Sequence, residues 1–350
     1  MGGGGSKTDR SLNLSADRKP SFDPGPKISA TTPDDFVVTT TLGKGSFGRV
    51  RLARHKNSNT LWALKILKKN EVHAHDAVEH VFREKKILAE LSHPFIVNMA
   101  SAFHDLYFIY FVLEFVQGGP FDTYLRGVGQ LKGMASAFYS AQIVHVFEYM
   151  HAKSFLYRDL KPDNLILDMT GYVKLADFGF AVYCETVTRT LCGTPDYMAP
   201  EIIEKCGYGK GVDWWALGIV LCEMLTGKTP FVADNPMDTY KLILKNNPKW
   251  PSDLQGVGKL AVKRYLTKNP SDRMGNSKTG EDECKKHKFY KSIDWSRLLS
   301  RDIEAPFSPF VNFDDDTSNF DEYPESKNLP ELPAYSDDRP DPFIRFSELD

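Results

Sequence analysis

The sequence predicts an α+β fold of two lobes, a β-rich small lobe over residues 36–116 and a mainly helical large lobe over 117–299, spanned by a C-terminal tail over 300–350. Three observations predict it. Between Phe36 and Phe115 the apolar residues fall mostly in short β-branched and aromatic runs, the pattern of strands packed on one or both faces. After the breaker cluster Gln117-Gly118-Gly119-Pro120 the apolar spacing turns helical. From about Ala305, Pro, Asp, Glu and isolated aromatics follow one another without periodicity, as in an extended strap.

Taken in order, residues 1–35 are rich in Gly, Ser, Pro, Asp and Lys and read as a disordered leader. Its first residues, Met1-Gly2-Gly3-Gly4-Gly5-Ser6, fit N-myristoylation at Gly2 and fit a flexible Gly/Ser linker equally well. One acyl chain would give only reversible membrane binding. Strand structure starts at Phe36-Val37-Val38. One helix is expected among the strands, over Asp76–Leu91, where Val78, Val81, Phe82, Lys85 and Leu88 trace one side and Ile87 and Leu91 widen it. The run Tyr107–Phe115 reads as a buried strand, and the breaker cluster after it as a hinge. Helices are expected over Met134–Met150, Val212–Leu225, Met237–Leu244 and Lys259–Leu266.

Composition narrows the function classes. A 350-residue chain with 41% hydrophobic and 26% charged residues has the make-up of a globular protein with a sizeable core. The formal charge of −2 gives no electrostatic footprint for nucleic acid, and no run reaches the length of a membrane span. The five cysteines (Cys184, Cys192, Cys206, Cys222 and Cys284) are scattered and contain no CxxC pair, which argues against a disulfide framework or zinc site and for a reducing compartment. A cytoplasmic location follows, with the nucleus or an acyl-anchored membrane association as alternatives.

The chemistry resides in a series of motifs. Gly43-Lys44-Gly45-Ser46-Phe47-Gly48 is a GxGxxG, a string shared with dinucleotide-binding folds. There the third glycine opens a helix, whereas here Gly48 leads into Arg49-Val50-Arg51-Leu52, a strand alternation. A dinucleotide oxidoreductase is therefore disfavoured. A strand–glycine loop–strand can instead fold its backbone over phosphates with no Cβ in the way. Lys65 lies among apolar neighbours in Leu61–Leu67, where an ammonium needs an anion; Glu84, 19 residues on, could orient it. Tyr157-Arg158-Asp159-Leu160-Lys161-Pro162-Asp163-Asn164 and the later Asp177-Phe178-Gly179 bring together carboxylate and amide oxygens suited to Mg²⁺ beside phosphates. Ala199-Pro200-Glu201 closes the segment.

In order and spacing, Lys65, Glu84, Asp159, Asn164, Asp177 and Glu201 resemble the signature set of protein kinases. Leu191-Cys192-Gly193-Thr194-Pro195, Val212–Gly218 and Asp316–Phe320 make the chain similar to the AGC group of serine/threonine kinases. Over roughly residues 36–350 the likeness is to the cAMP-dependent branch, with cGMP-dependent kinases as neighbours.

That resemblance implies an ATP-dependent kinase acting with two Mg²⁺ ions on serine or threonine in basic, arginine-containing proteins. Asp159 would accept the proton of the attacking hydroxyl, Lys161 would neutralise the transferring group, and Lys65, held by Glu84, would contact the phosphates. Asn164 and Asp177 would hold metal. Gly43, Gly45, Ser46, Phe47 and Gly48 would cover the phosphates, and Leu42, Val50, Ala63, Leu113, Glu114, Val116, Ile166 and Phe320 would form the adenine pocket. Thr190 matches an activation-loop phosphothreonine, the work of this enzyme or an upstream kinase, with Arg158 and His80 as its basic partners. Asp163 and Glu223, in apolar surroundings, would receive an arginine two residues before the phosphoacceptor. Leu191, Pro195 and Met198 would take a hydrophobic residue after it. Phe343 and Phe346 would dock on the small lobe. A cyclic-nucleotide-binding subunit is the implied regulatory partner, with Tyr240 and Arg126 as docking residues.

The sequence departs from that family at several points. Pro120 stands where relatives carry a glutamate that meets the arginine three residues before the acceptor, so weaker dependence on that arginine is expected. Arg189 replaces a docking tryptophan. Val182, Tyr183 and Val187 lie where the cAMP-dependent enzyme is basic, and no N-terminal amphipathic helix is visible. A pseudokinase scaffold is the rival reading; it would need a degraded Lys65, Asp159, Asn164 or Asp177, and none is degraded.

Overall fold

The computed structural model describes residues 28, 32–325 and 341–348. The small lobe runs through β1 (Phe36–Gly45), β2 (Gly48–His55), β3 (Leu61–Lys68), α1 (Lys69–Ala74), α2 (Val78–Glu90), β4 (Met99–His104) and β5 (Phe108–Glu114). Its strands make one antiparallel sheet in the order β1-β2-β3-β5-β4. Period-two alternation sorts the side chains between two faces. Trp62 and Leu64 join Phe108, Tyr110 and Val112 in an outer cluster, while Leu67, Ile109 and Phe111 face the main core. Lys65, in register with Val50 and Phe111, shares the inner face of Ala63 and Leu67.

The helix expected over Asp76–Leu91 is shorter, because Asp76 has φ 52° and Leu91 is already extended. Helix α1, which the sequence reading did not expect, precedes it. Pro33–Asp35 form a 3-10 turn capped by Thr32, so the stretch read as a disordered leader over 1–35 is ordered at its end. Gly2 and the rest of the leader's first residues lie outside the described residues.

The large lobe follows as α3 (Phe121–Val128), α4 (Gly133–Ala152), β6 (Phe155–Leu156), β7 (Leu165–Leu167), β8 (Val173–Leu175), β9 (Val182–Tyr183), α5 (Pro200–Ile203), α6 (Gly211–Thr226), α7 (Pro236–Leu244), α8 (Gly256–Tyr265), α9 (Asp282–Lys286) and α10 (Trp295–Leu299). Helices α4 and α6 are apolar on most sides and accordingly buried on most sides. Among the described residues no helix is long and apolar enough to cross a membrane. Two buried polar centres tie this lobe together. Asp213 of α6 accepts from the backbone N–H of Tyr157 at 3.0 Å and of Arg158 at 2.8 Å, and from His151 Nε2 at 2.8 Å. Arg273 donates to both oxygens of Glu201, at 2.6 and 3.1 Å, and to the carbonyls of Gly211, Thr267 and Lys268.

Residues 300–325 form neither helix nor strand, in keeping with the strap expected there. The strap crosses the hinge so closely that a side chain on Gly119, at φ +81°, would start 2.2 Å from the Asn319 carbonyl oxygen. Glu325 then accepts from the Thr41 backbone N–H and hydroxyl. Phe343 and Phe346 are fully buried against Phe82 of α2, at ring separations of 5.9 and 5.4 Å, and Lys69 pairs with Asp341 at 2.6 Å.

Candidate active site

A cleft of about 460 Å³ opens between the sheet and the large lobe. Leu42, Gly43, Val50, Ala63, Glu114, Val116, Ile166 and Phe320 line it, together with Lys161, Asp163, Asn164 and Asp177. Leu113 packs behind this wall, against Leu42, Leu52 and Ala63. Gly45, Ser46, Phe47 and Gly48 are not among the lining residues, and the Phe47 ring turns toward His75 at 5.6 Å. Gly43 and Gly45 face open space, but a Cβ on Gly48 would lie 1.8 Å from the Ile66 carbonyl oxygen. Strand packing, rather than approach to a ligand, demands glycine there.

Lys65 Nζ sits 2.6 Å from Glu84 Oε1 and 3.3 Å from Asp177 Oδ1. Burial works against the ammonium, but Asp177 and Glu84 outweigh it and hold the lysine pKa above its ordinary value. Lys65 in turn lowers that of Asp177, while burial raises that of Glu84. Asp177 has φ 52° and Arg158 φ 72°, strained conformations of the kind that collect at functional sites.

Asp159 is buried and saturated with donors. Its Oδ1 accepts from the Thr194 N–H at 3.1 Å and hydroxyl at 2.9 Å, and its Oδ2 from Lys161 Nζ at 2.9 Å and Asn164 Nδ2 at 3.0 Å. Asn164 Nδ2 also donates to the Asp159 carbonyl at 2.8 Å. With both amide protons directed at Asp159, the Asn164 amide oxygen remains to pair with the Asp177 carboxylate as a hard oxygen donor set. Such a set fits Mg²⁺ completed by phosphate oxygens.

Thr190 is exposed, and the Tyr208 hydroxyl donates to its carbonyl while itself accepting from Arg158 Nη1 at 3.1 Å. His80 and Arg83 lie close enough for the charge of Arg158 to lower the pKa of each, after burial as the larger cause. Arg83 thus adds a guanidinium to the pair expected from sequence, in which the lowered pKa of His80 favours its neutral form.

On the substrate side, Glu223 accepts from the Tyr197 hydroxyl at 2.7 Å. Asp163 is exposed, which corrects the expectation of apolar surroundings: it is the middle residue of the one-turn Pro162–Asn164 helix, and it lines the cleft. Met198 is in the core, Pro195 is half-buried, and Leu191 offers open apolar surface. The sequence reading missed Asp122, which lines the same cleft one helical turn before its 2.8 Å partner Arg126.

Comparison with known proteins agrees with this geometry. The family model of the protein kinase domain matches residues 36–290. A mouse protein named cAMP-dependent protein kinase catalytic subunit PRKX is 41% identical over 331 residues, 93% of this chain and 93% of its own length. Saccharomyces cerevisiae cAMP-dependent protein kinase type 3 is 41% identical over 294 residues, 84% of this chain and 74% of that one. Mouse protein kinase C eta type is 42% identical over 293 residues, 82% of this chain and 43% of that one. The chain belongs to the protein kinase family and is a serine/threonine kinase similar to the cAMP-dependent catalytic subunits.

Proposed function

We propose that this enzyme phosphorylates serine or threonine in arginine-containing proteins, with Lys65, Asp159, Lys161, Asn164 and Asp177 as its working residues. The observation that carries the reading is the Glu84–Lys65–Asp177 bridge, at 2.6 and 3.3 Å, whose Asp177 lines the cleft together with Asn164, itself bonded to Asp159 at 3.0 Å. ATP with two Mg²⁺ ions supplies the phosphoryl group and neutralises its charge; Asn164 and Asp177 would hold the ions. Glu84 keeps the Lys65 ammonium aimed into the cleft. Asp159 orients the substrate hydroxyl and takes its proton, and Lys161, already bonded to both Asp159 and Thr194, screens negative charge at that point. Lys65→Met and Asp177→Asn should each lower kcat/KM by about three orders of magnitude or more with the fold intact. Turnover near that of the wild type in a radiolabel assay would overturn these assignments.

Recognition of substrate arginine rests on Glu223, Asp163 and Asp122. The carboxylate that Pro120 cannot offer has a counterpart in Asp122 on the first turn of α3, which supports dependence on both arginines before the acceptor. Asp122→Asn should therefore weaken selection three residues before the acceptor by about tenfold, read from kcat/KM on a peptide series. A series unaffected by that substitution would return the site to Asp163 and Glu223.

Regulation is read in the same way. A phosphate on Thr190, added by this enzyme or by an upstream kinase, would meet Arg158, His80 and Arg83. A cyclic-nucleotide-binding subunit acting in trans is supported by the names of the relatives and by Tyr240 and Arg126; Arg189 stands against it. Five free cysteines suit a reducing compartment, cytoplasm or nucleus. Attachment to a membrane through Gly2 rests on the sequence motif alone.

A further inference from the structure

One stretch of the chain answers the substrate groups of its own cleft. Of all the serines and threonines, Ser21 alone has a basic residue both two and three positions before it, in Arg18-Lys19-Pro20-Ser21-Phe22. Thr267 and Ser300 also have an arginine three positions before them, but the next residue is Tyr265 in one case and Leu298 in the other. Those two arginines are engaged within the fold: Arg264 donates to Glu283 and the Asp272 carbonyl, and Arg297 to the Asp302 carbonyl.

The match runs position by position. Arg18 falls three residues before the acceptor, the position assigned to Asp122, which lines the cleft from the first turn of α3. Asp122 already holds a guanidinium: Arg126 pairs with it at 2.8 Å, and that side chain is 66% exposed, so an incoming arginine replaces a surface partner rather than a buried one. Lys19 falls at the position assigned to Asp163 and Glu223. Its ammonium supplies the charge without the planar fork, so Arg18 carries the larger share of the recognition. Phe22 follows the acceptor, where Leu191 offers open apolar surface.

We infer that Ser21 is an autophosphorylation site, presented to the cleft by a second copy of this chain. This rests on the reading of Asp122, Asp163 and Glu223 as the arginine-binding acids. The Ser21 Oγ bonds to the γ-phosphorus of ATP as the bond from that phosphorus to the β–γ bridging oxygen breaks; ADP leaves, and the hydroxyl proton passes to Asp159. Tether length assigns the reaction to a neighbour. Ile28 packs on the outer cluster with Phe36 and Trp62, the face of the sheet opposite Lys65. Ser21 is seven residues before it, and seven extended residues reach only about 23–25 Å. Such a tether would have to turn the edge of the small lobe and then cross the cleft to Glu223 in α6. Once made, the phosphate places about −1.5 to −2 charges beside Arg18 and Lys19 and offsets their pull on the acids, so the product leaves.

The test mixes wild-type enzyme with an isotope-labelled, full-length acceptor carrying Lys65→Met, which cannot phosphorylate itself, and maps phosphate on the acceptor by tandem mass spectrometry. We expect phosphate at Ser21, at an initial rate that rises with the concentration of wild-type enzyme. In the acceptor, Arg18→Ala should slow that rate about tenfold, Phe22→Ala should slow it less, and Lys19→Arg should speed it. Asp122→Asn in the active enzyme should slow modification of the Arg18 acceptor about tenfold and leave that of the Arg18→Ala acceptor unchanged, as coupled partners do. An acceptor without phosphate at Ser21, or a rate indifferent to Arg18, would overturn the inference. So would wild-type chains that modify Ser21 at a rate per chain unchanged by dilution, since each would then act on itself. A synthetic peptide with arginine two and three residues before its serine is assayed alongside. If the peptide is phosphorylated and Ser21 is not, the inference alone fails; if neither is, the reading of the substrate side fails with it.

Discussion

Glu223 illustrates how much a single side chain can set. Burial, reinforced by the charges of Asp122, Asp163 and Asp196 and partly offset by the Tyr197 hydroxyl, pushes its pKa up to about 7. A carboxyl with a raised pKa is neutral below that value and gains its charge as pH rises through it. Binding an arginine requires the charged form. KM for a peptide with arginine two residues before the acceptor should therefore fall between pH 6 and pH 8, by up to about tenfold. In Glu223→Gln the same profile should be flat, and a matching slope in the mutant would assign the titration to another group. The residues that sequence reading missed share one physical reason. Arg83 is one step from Glu84 along the chain and reads as part of a helix's solvent face, whereas folding aims it at Arg158. Asp122 follows a Gly-Gly-Pro breaker and reads as loop, yet Pro120 caps the helix that carries this acid into the cleft. Lys65 and Glu84, by contrast, were legible because an ammonium among apolar residues demands a partner.

At the scale of elements, the strongest sequence signals were the strands of the sheet and the long buried helices. The polar–apolar alternation of Arg49-Val50-Arg51-Leu52 in β2 and the nearly unbroken apolar run of α6 leave little choice of structure. The short helices α1, α5, α9 and α10 have no more than six residues each, too few for a periodic signal. Their stability is tertiary, and Arg273 is its clearest instance. That buried guanidinium uses five N–H donors on Glu201 and three carbonyls, tying α5 to the start of α6 and to the loop after α8. Arg273→Met would keep the volume but leave the Glu201 carboxylate buried without its countercharge. A loss of about 3–5 kcal/mol is expected, from the midpoint of urea unfolding. A change below about 1 kcal/mol, the scale of a solvent-exposed pair, would mean that water replaces the guanidinium.

For the whole molecule, the tail acts on the active site through the small lobe. Phe343 and Phe346 pack on Phe82, two residues before Glu84, and the Lys85 ammonium bonds to the Glu348 carbonyl. Phe346→Ala should cost about 3–5 kcal/mol in the small lobe. It should also lower kcat by loosening α2 and with it the Lys65–Glu84 pair. Differential scanning fluorimetry and steady-state kinetics read the two effects, and a lower Tm with unchanged kcat would uncouple them. The reach of this contact in sequence has a consequence for how the enzyme is made. Lys85 and Glu348 are 263 residues apart. At a synthesis rate of roughly 5–20 residues per second, about 13–50 s pass between the emergence of α2 and that of the segment that covers it. Through that interval the nascent chain carries an uncovered aromatic face on the very helix that positions Glu84, so the part of the enzyme translated early is completed late.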